Sequence, residues 1–251
     1  QVIYHADSKR ATGVKIIDTV TKEEIEFKAK VVFLCASAVA STSILMQSTS
    51  DRFPNGLGND SGELGHNLMD HHFQVGAKGV FEGFKDKYHT GRRPNGIYIP
   101  RFRNIGGKTN QKNFIRGYGY QGDGFRNGGN PVAEELAFGK EFKSEILNVD
   151  QWSMSINGFG ETLPYHENKM YLDYDKKDQW GLPTVTFDAT IRENELEMRK
   201  DMKEQAVEML EKAGFKNVSG YDNNYALGLG IHEMGTARMG RDPKTSVLGA
   251  Y

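Results

Sequence analysis

The sequence predicts an α+β fold, in which mixed strands and helices build an antiparallel sheet with flanking helices. Three observations carry that prediction. Short strand-like runs are joined by glycine-rich turns rather than by the long crossovers that a parallel sheet requires. One long segment, from about Glu193 to Ala213, repeats apolar residues at near-helical spacing. Glycine supplies 29 of the 251 residues and aromatics 11%, which suits strands, loops and ligand-facing surfaces better than a helical bundle.

Residues 1 to 35 read as strands separated by turns: Val2 to Tyr4, Gly13 to Asp18, Glu24 to Phe27, and the apolar run Val31 to Leu34, which is expected to be buried. Small residues follow, Ala36-Ser37-Ala38-Val39-Ala40-Ser41-Thr42, and lead into a helix through Ser43-Ile44-Leu45-Met46. A strand that passes through small residues into a helix lets a nucleotide approach the helix-start amides. Tight strand-helix packing explains it equally well. Residues 51 to 67 form a loop with Pro54, Gly56, Gly58, Gly62 and Gly65, read as a crossing between domains.

From about 73 to 190, strand-like runs alternate with glycine turns, interrupted by one helical stretch around Val132 to Leu147. In the helix from Glu193 to Ala213 the recurring apolar residues are Leu196, Met202, Ala206, Met209, Leu210 and Ala213, and Gly214 is its stop. Glu195 with Arg199 and Glu208 with Lys212 stand four apart and are expected on a solvent-exposed, charge-paired face.

A net charge of −1 with 26% charged residues of both signs gives no electrostatic basis for a nucleic-acid or acidic-membrane partner. No run approaches the roughly 18 to 20 apolar residues of a membrane-spanning helix. Cys35 is the single cysteine, so an intrachain disulfide is impossible, and its apolar setting predicts a buried, inert thiol. The chain opens on Gln1 without a methionine and is expected to be a fragment or processed piece, its compartment (periplasmic or cytoplasmic) left open.

The most informative candidate site is the loop Gly230-Ile231-His232-Glu233-Met234-Gly235-Thr236-Ala237-Arg238-Met239-Gly240. Its glycines permit close backbone approach, and imidazole as a side-chain type serves as a base near neutrality, so the loop is able to bring a base against a flat ligand. A lone histidine is also commonly structural. His232-Glu233 is not a zinc-protease helix, because Thr236 stands where the second histidine belongs.

Other candidates carry less. Gly117-Tyr118-Gly119-Tyr120-Gln121-Gly122 matches a dinucleotide fingerprint, but further glycines follow it instead of a helix. A strand from Phe114 to Gln121 is the better reading, with Phe114, Arg116, Tyr118 and Tyr120 on one face and Gly117 and Gly119 admitting another backbone on the other. His66, Asp70, His71 and His72 lack zinc-ligand spacing and are expected to satisfy buried backbone groups, so no metal is assigned. Asp173-Tyr174-Asp175-Lys176-Lys177-Asp178 lacks the central glycine of a calcium loop and reads as a hairpin turn.

The segment His232 to Pro243 closely resembles the C-terminal motif of the glucose-methanol-choline (GMC) flavoprotein oxidoreductases. Residues 29 to 45 look like that family's second signature, and Gly62-Glu63-Leu64-Gly65-His66-Asn67-Leu68-Met69-Asp70-His71 looks like its interdomain segment. Gly160-Glu161-Thr162-Leu163-Pro164, Asn168 and Asp178-Gln179-Trp180-Gly181-Leu182-Pro183 resemble the branch of gluconate dehydrogenase flavoprotein subunits, glucoside dehydrogenases and pyranose oxidase. The matches occur in family order.

The resemblance implies pieces of an FAD-binding domain at 1–70 and 221–251 around a substrate-binding domain at 71–220. It also implies oxidation of a CH–OH group of a sugar, sugar acid or glycoside by hydride transfer to flavin N5. His232 falls on the family's catalytic base. Val2 matches a backbone contact to adenine, and Ala36-Ser37 match the small-residue turn near FAD. The partners implied are a small sugar or polyol and an electron acceptor that is oxygen, a quinone or a cytochrome.

Departures accompany the matches. Thr42 replaces the signature's usual proline, Thr49-Ser50 replaces its closing serine-glycine, and the family's N-terminal glycine-rich loop and the terminal partner of the base are not in the chain. The chain alone is therefore expected to bind FAD weakly or not at all, without turnover. The alternative reading is a catalytically silent carbohydrate-binding or interaction module that retains the fold. A His232-dependent hydrolase is a third reading, but no Gly-x-Ser-x-Gly elbow accompanies the histidine.

Overall fold

The computed structural model describes residues 1–87, 96–126, 138–147, 149 and 151–249. The chain divides into two compact units, one of Gln1–Asp70, Thr162–Thr190 and Gly230–Tyr251, the other of His71–Glu161 and Ile191–Leu229. Residues 162–190 lie within the expected 71–220 block but pack in the first unit, because Leu68 N donates to Asn168 O and Met170 N donates to Gly65 O. Residues 221–229 stay in the second unit, where the strand ending at Asp222 is still paired. Helices and antiparallel sheets together give an α+β architecture.

The first unit opens with a three-stranded antiparallel sheet of β1 (Val2–His5), β2 (Arg10–Ile17) and β3 (Glu24–Lys28). The β2–β3 turn is closed by Asp18, whose Oδ1 accepts from Val20 N at 2.8 Å and Thr21 N at 2.7 Å, a local bond that aspartate favours over strand pairing. Helix α1 (Ala38–Gln47) starts at Ser37, whose hydroxyl accepts from Ala40 N at 3.2 Å, and it buries Thr42 and Leu45. Later come the hairpin β8 (Lys169–Lys177) and β9 (Pro183–Asp188) and a short parallel pairing of β11 (Met239–Gly240) with β12 (Leu248–Gly249). Asp178 closes the hairpin turn by accepting from Trp180 N and Leu182 N, both at 2.9 Å. The turn expected at Asp173 to Asp178 thus begins only at its last residue, because Asp173 to Lys177 continue β8 across an irregular register opposite β9.

Val31 to Leu34 departs from expectation. It forms no strand; Val31 is 63% and Phe33 82% exposed, and Cys35 is exposed rather than buried. The apolar alternation suits a strand, but among the described residues no strand pairs with it; Val32 and Leu34 are half-buried while Val31 and Phe33 face outward.

The second unit is a five-stranded antiparallel sheet in the order β10 (Lys216–Asp222), β4 (Val75–Phe81), β7 (Trp152–Gly160), β6 (Tyr118–Phe125), β5 (Gly96–Ile99). Helix α2 (Gly139–Leu147) occupies the end of the helical stretch expected from Val132, and residues 132–137 lie outside the described residues. Strand β6 begins at Tyr118 rather than Phe114, because Arg116 takes φ +71, a left-handed conformation no strand accommodates. Gly119 does admit another backbone: a side-chain carbon there would stand 2.8 Å from Ile99 O.

Helix α3 (Glu193–Lys212) covers one face of the sheet. Its buried stripe is Met198, Met202, Ala206 and Leu210, four apart and on one helical face, packed with Val75, Ala77, Tyr118, Tyr120 and Ile156. Leu196, expected in that stripe, is 52% exposed. Tyr118 Oη donates to the Asp201 carboxylate and Tyr120 Oη to Met202 O, so the two buried phenols are satisfied by the helix they pack against. Burial raises both phenol pKa values well above the ordinary range.

The Glu195–Arg199 pair was expected on a solvated face, and the structure buries both. Arg199 instead pairs with Asp222 at the end of β10, while Glu195 closes the helix start by accepting from Arg192 N at 3.0 Å. A strand residue for Arg199 and the helix cap for Glu195, neither visible to four-residue spacing, account for the difference. Glu208 and Lys212 do form the expected exposed pair, at 2.5 Å.

His72 lies in this buried polar group at 1% exposure, and neither ring nitrogen makes a hydrogen bond among the described residues. Desolvation, then the nearby Arg199 charge, lowers its pKa from 6.5 to about 4, against an opposing pull from Glu195 and Asp222. The unfolded chain therefore binds a proton that the folded chain refuses between those values. Stability is fully present above about pH 6.5 and falls as the pH drops toward 4, by roughly 3 kcal/mol from this group. Urea titrations at pH 7 and pH 4 should show the loss in the native chain and a loss smaller by about that amount in His72→Phe; equal losses in both would remove the assignment.

Candidate active site

His232 sits in a loop whose backbone is fixed at several points within the first unit. Its own N–H donates to Asp70 Oδ1 at 3.1 Å, and Gly230 N donates to Asp70 Oδ2 at 2.8 Å. The intervening Ile231 takes φ +61, a conformation that costs a branched residue energy and that the two flanking bonds to one carboxylate hold in place. Asp70 is 1% exposed, and a buried carboxylate is tolerated only where donors surround it. The imidazole itself is exposed.

Beyond His232 the loop pairs with residues 65–69. Met69 N donates to Met234 O at 2.9 Å, Met234 N to Met69 O at 3.0 Å, and Gly65 N to Thr236 O at 2.7 Å. Gly235 has φ +96, and a side-chain carbon there would stand 1.9 Å from Asn67 O. The glycine read from the sequence as a site of close approach is required at this position. Arg238 secures the loop's far end through Glu63 at 3.2 Å and Thr245 O at 2.8 Å.

Helix α1 connects the remaining candidates. Thr236 is fully buried, and its hydroxyl lies 2.8 Å from that of Thr42 in the middle of the helix. Ala36 and Ser37 form the helix entry, where Ser37 caps one amide and Ala36 O accepts from Ser41 Oγ at 3.0 Å. At the other end Ser48 Oγ accepts from Val2 N at 2.7 Å and donates to Ile44 O at 2.6 Å. Val2, Ala36, Ser37 and the His232 loop are thus all tied to one ten-residue helix.

These residues fit part of a dinucleotide site. The helix entry is exposed and built of Ala36, Ser37 and Ala38, so little side-chain bulk stands before its first-turn amides, of which the Ser37 hydroxyl takes one. The Val2 amide, by contrast, is engaged by Ser48. A cavity of about 520 Å³ elsewhere in the unit is lined by Phe53, Gly58, Arg241 and Val247 among others, and by none of the four candidates.

The histidine cluster does not act as one group. His66 Nδ1 lies 2.7 Å from His166 O, and its ring stacks on His166 with centroids 4.1 Å apart, whereas His71 Nδ1 lies 3.4 Å from Gly160 O and His72 is enclosed by charged residues of the second unit. Asp70 is the member that satisfies buried backbone, as the sequence suggested for the cluster. What the sequence reading missed is that Asp70 anchors the His232 loop and that Thr42 meets Thr236. Thr42 stood out only as a departure from the family's proline, and a hydroxyl that clasps the loop is the physical reason a threonine serves there.

Removing the Asp70 carboxylate should release the loop. Asp70→Ala is expected to destabilise the chain by about 1.5–3 kcal/mol, the worth of hydrogen bonds to a charged acceptor, and to raise amide exchange at Gly230 and His232. Unchanged protection at those two amides would exclude the anchoring role.

Comparison with known proteins identifies the family. Two models described as GMC oxidoreductase match residues 1–73 and 164–251. The chain is 30% identical to the 2-methyl-1,2-propanediol dehydrogenase of Mycolicibacterium austroafricanum over 98% of this chain and 45% of that protein. It is 26% identical to the fructose dehydrogenase large subunit of Gluconobacter japonicus (100% and 45%) and 24% identical to the paromamine 6'-oxidase of Streptomyces fradiae (98% and 42%). The chain thus spans less than half the length of the curated relatives it matches. Two family matches, one containing helix α1 and the other the His232 loop, identify the chain as a member of the GMC oxidoreductase family.

Proposed function

We propose that this chain is part of an FAD-dependent oxidoreductase acting on the CH–OH group of a sugar or polyol, with His232 as the base. The observation that carries the reading is the exposed imidazole on a loop fixed by Asp70 and Thr236, tied to the helix whose entry fits a dinucleotide. FAD, when bound, supplies the hydride acceptor. The first unit then contributes Ala36 and Ser37 at the helix entry to its binding, and Val2, tied to the helix's other end, as a backbone contact to the adenine. His232 takes the substrate hydroxyl proton on a ring nitrogen, which spares the departing carbonyl oxygen a full positive charge. Asp70 keeps that ring from drifting, since a base contributes only where its approach is fixed.

The second unit is read as the substrate-binding domain, and the relatives' names (a propanediol, fructose, paromamine) support polyhydroxylated small molecules as the substrate class. In the full-length protein, His232→Ala should slow substrate-driven flavin reduction by about 10²–10⁴-fold while leaving flavin bound. An unchanged rate would remove the role assigned to His232, and the carbohydrate-binding module without catalysis would become the better reading.

The chain by itself holds only part of the cofactor site. The exposed Val31 and Phe33 and the share of its relatives' length support that statement. Purified, the 251-residue chain should show little or no flavin absorbance and no turnover. A yellow preparation bleached by sugar would contradict it.

A further inference from the structure

The strand register of the second unit sets five residues in one row across the sheet. Tyr98 pairs with Gln121, Gln121 with Asn157, Asn157 with Gly76, and Gly76 with Tyr221. Directly paired residues project to the same face. Two residues along the strands, a parallel row on that face holds Gly96, Asp123, Ser155, Lys78 and Ser219. The row between them, Ile97, Gly122, Ile156, Ala77 and Gly220, projects to the opposite face, where Ile156 and Ala77 join the core with α3. The amide and hydroxyl rows therefore occupy the face turned away from the helix, and Tyr98, Gln121, Asp123, Lys78 and Ser219 are exposed there.

One side chain in the row is held by another. Tyr221 Oη donates to Asn157 Oδ1 at 2.8 Å, reaching past Gly76, where a side-chain carbon would stand 3.1 Å from that hydroxyl. Partial burial raises the Tyr221 pKa, which keeps the hydroxyl a donor. With Oδ1 engaged, Asn157 retains Nδ2 as its free group, since among the described residues no acceptor meets it. Gln121 beside it offers a donor and an acceptor.

We propose that Gln121 and Asn157 bind adjacent hydroxyls of a neutral polyol or sugar, with Tyr221 as the positioning residue that fixes the Asn157 amide. The inference deepens the proposed function and rests on that reading for its biological meaning. Each hydroxyl both donates and accepts, so neutral amides, which do the same, suit it better than a carboxylate or an ammonium alone. Tyr98 at the end of the row offers a ring to the C–H side of a sugar. Asp123 and Lys78 in the adjacent row carry opposite charges, so the face has no net attraction for a sugar acid.

The test is a titration of the isotopically labelled 251-residue chain with D-fructose and, separately, with D-gluconate, following side-chain amide resonances. Fructose should shift the Gln121 and Asn157 side-chain signals saturably. Tyr221→Phe should weaken fructose about fivefold, the net worth of one hydrogen bond, with the folded spectrum retained. Asn157→Asp keeps an acceptor for Tyr221 but loses the donor, and should lose fructose binding without loss of fold, an outcome that a purely structural asparagine would not give. Absence of a saturable shift at either amide, undiminished binding in Asn157→Asp, or gluconate binding tighter than fructose overturns the proposal. None of these readouts uses flavin. A row that binds fructose while His232→Ala leaves flavin reduction intact in the full-length protein fails only the catalytic reading, and the converse fails only the row.

Discussion

A carboxylate shut away from water is costly unless it is surrounded by donors, and Asp70 draws two of them from backbone amides. Its two oxygens take the amides of Gly230 and His232, and its own carbonyl accepts from both the amide and the hydroxyl of Thr162, at 3.1 and 3.0 Å. Three stretches distant in sequence thereby meet at one residue. The left-handed turn at Ile231, the contact of Gly235 with Asn67 and the pairing of Met69 with Met234 all depend on those stretches staying in register. The bond from the His232 amide to Asp70 fixes where the histidine enters the loop.

Much of this was legible in the sequence, and the division between what was and was not follows from range. Strands β1 to β3, the entry and body of α1 and the long helix α3 depend on local alternation, capping hydroxyls and glycine stops, and these read directly from neighbouring residues. The special character of the His232 loop showed in its glycines. Asp70 did not declare itself, because its partners stand 160 and 162 positions away. Spacing misplaced Glu195 and Arg199 for a related reason: four-residue intervals describe one helix, whereas the residue that neutralises Arg199 is on a strand. The apolar run at Val31 to Leu34 was read correctly in its preference and incorrectly in its surroundings, since burial is a property of neighbours.

The second unit shows how one sheet divides its work. Residues facing α3 are large and apolar, or are glycines that admit methionine: the side chains of Met198 and Met202 occupy the space beside Gly160 and Gly158. On the other face the two central rows hold amides, hydroxyls and a pair of opposite charges, with Val80, Phe125 and Phe159 further along the strands. Alternation along each strand reveals two faces, but only the register joins Gln121 to Asn157 and Asn157 to Tyr221 across three connections of very different length. Recognition built this way depends on strand alignment as much as on residue identity, and a one-residue slip would exchange the polar row for the apolar one.

The open run at Val31 to Leu34 has a colloidal consequence. An extended, apolar and unpaired stretch is a template for pairing with another copy of itself, and a chain with a net charge of −1 has little long-range repulsion to keep copies apart. Lys28 and Lys30 stand directly before the run, the kind of charge that interrupts stacking of such segments. Concentration and ionic strength, which govern how well two lysines hold off a neighbour, would then decide whether the chain stays monomeric in solution.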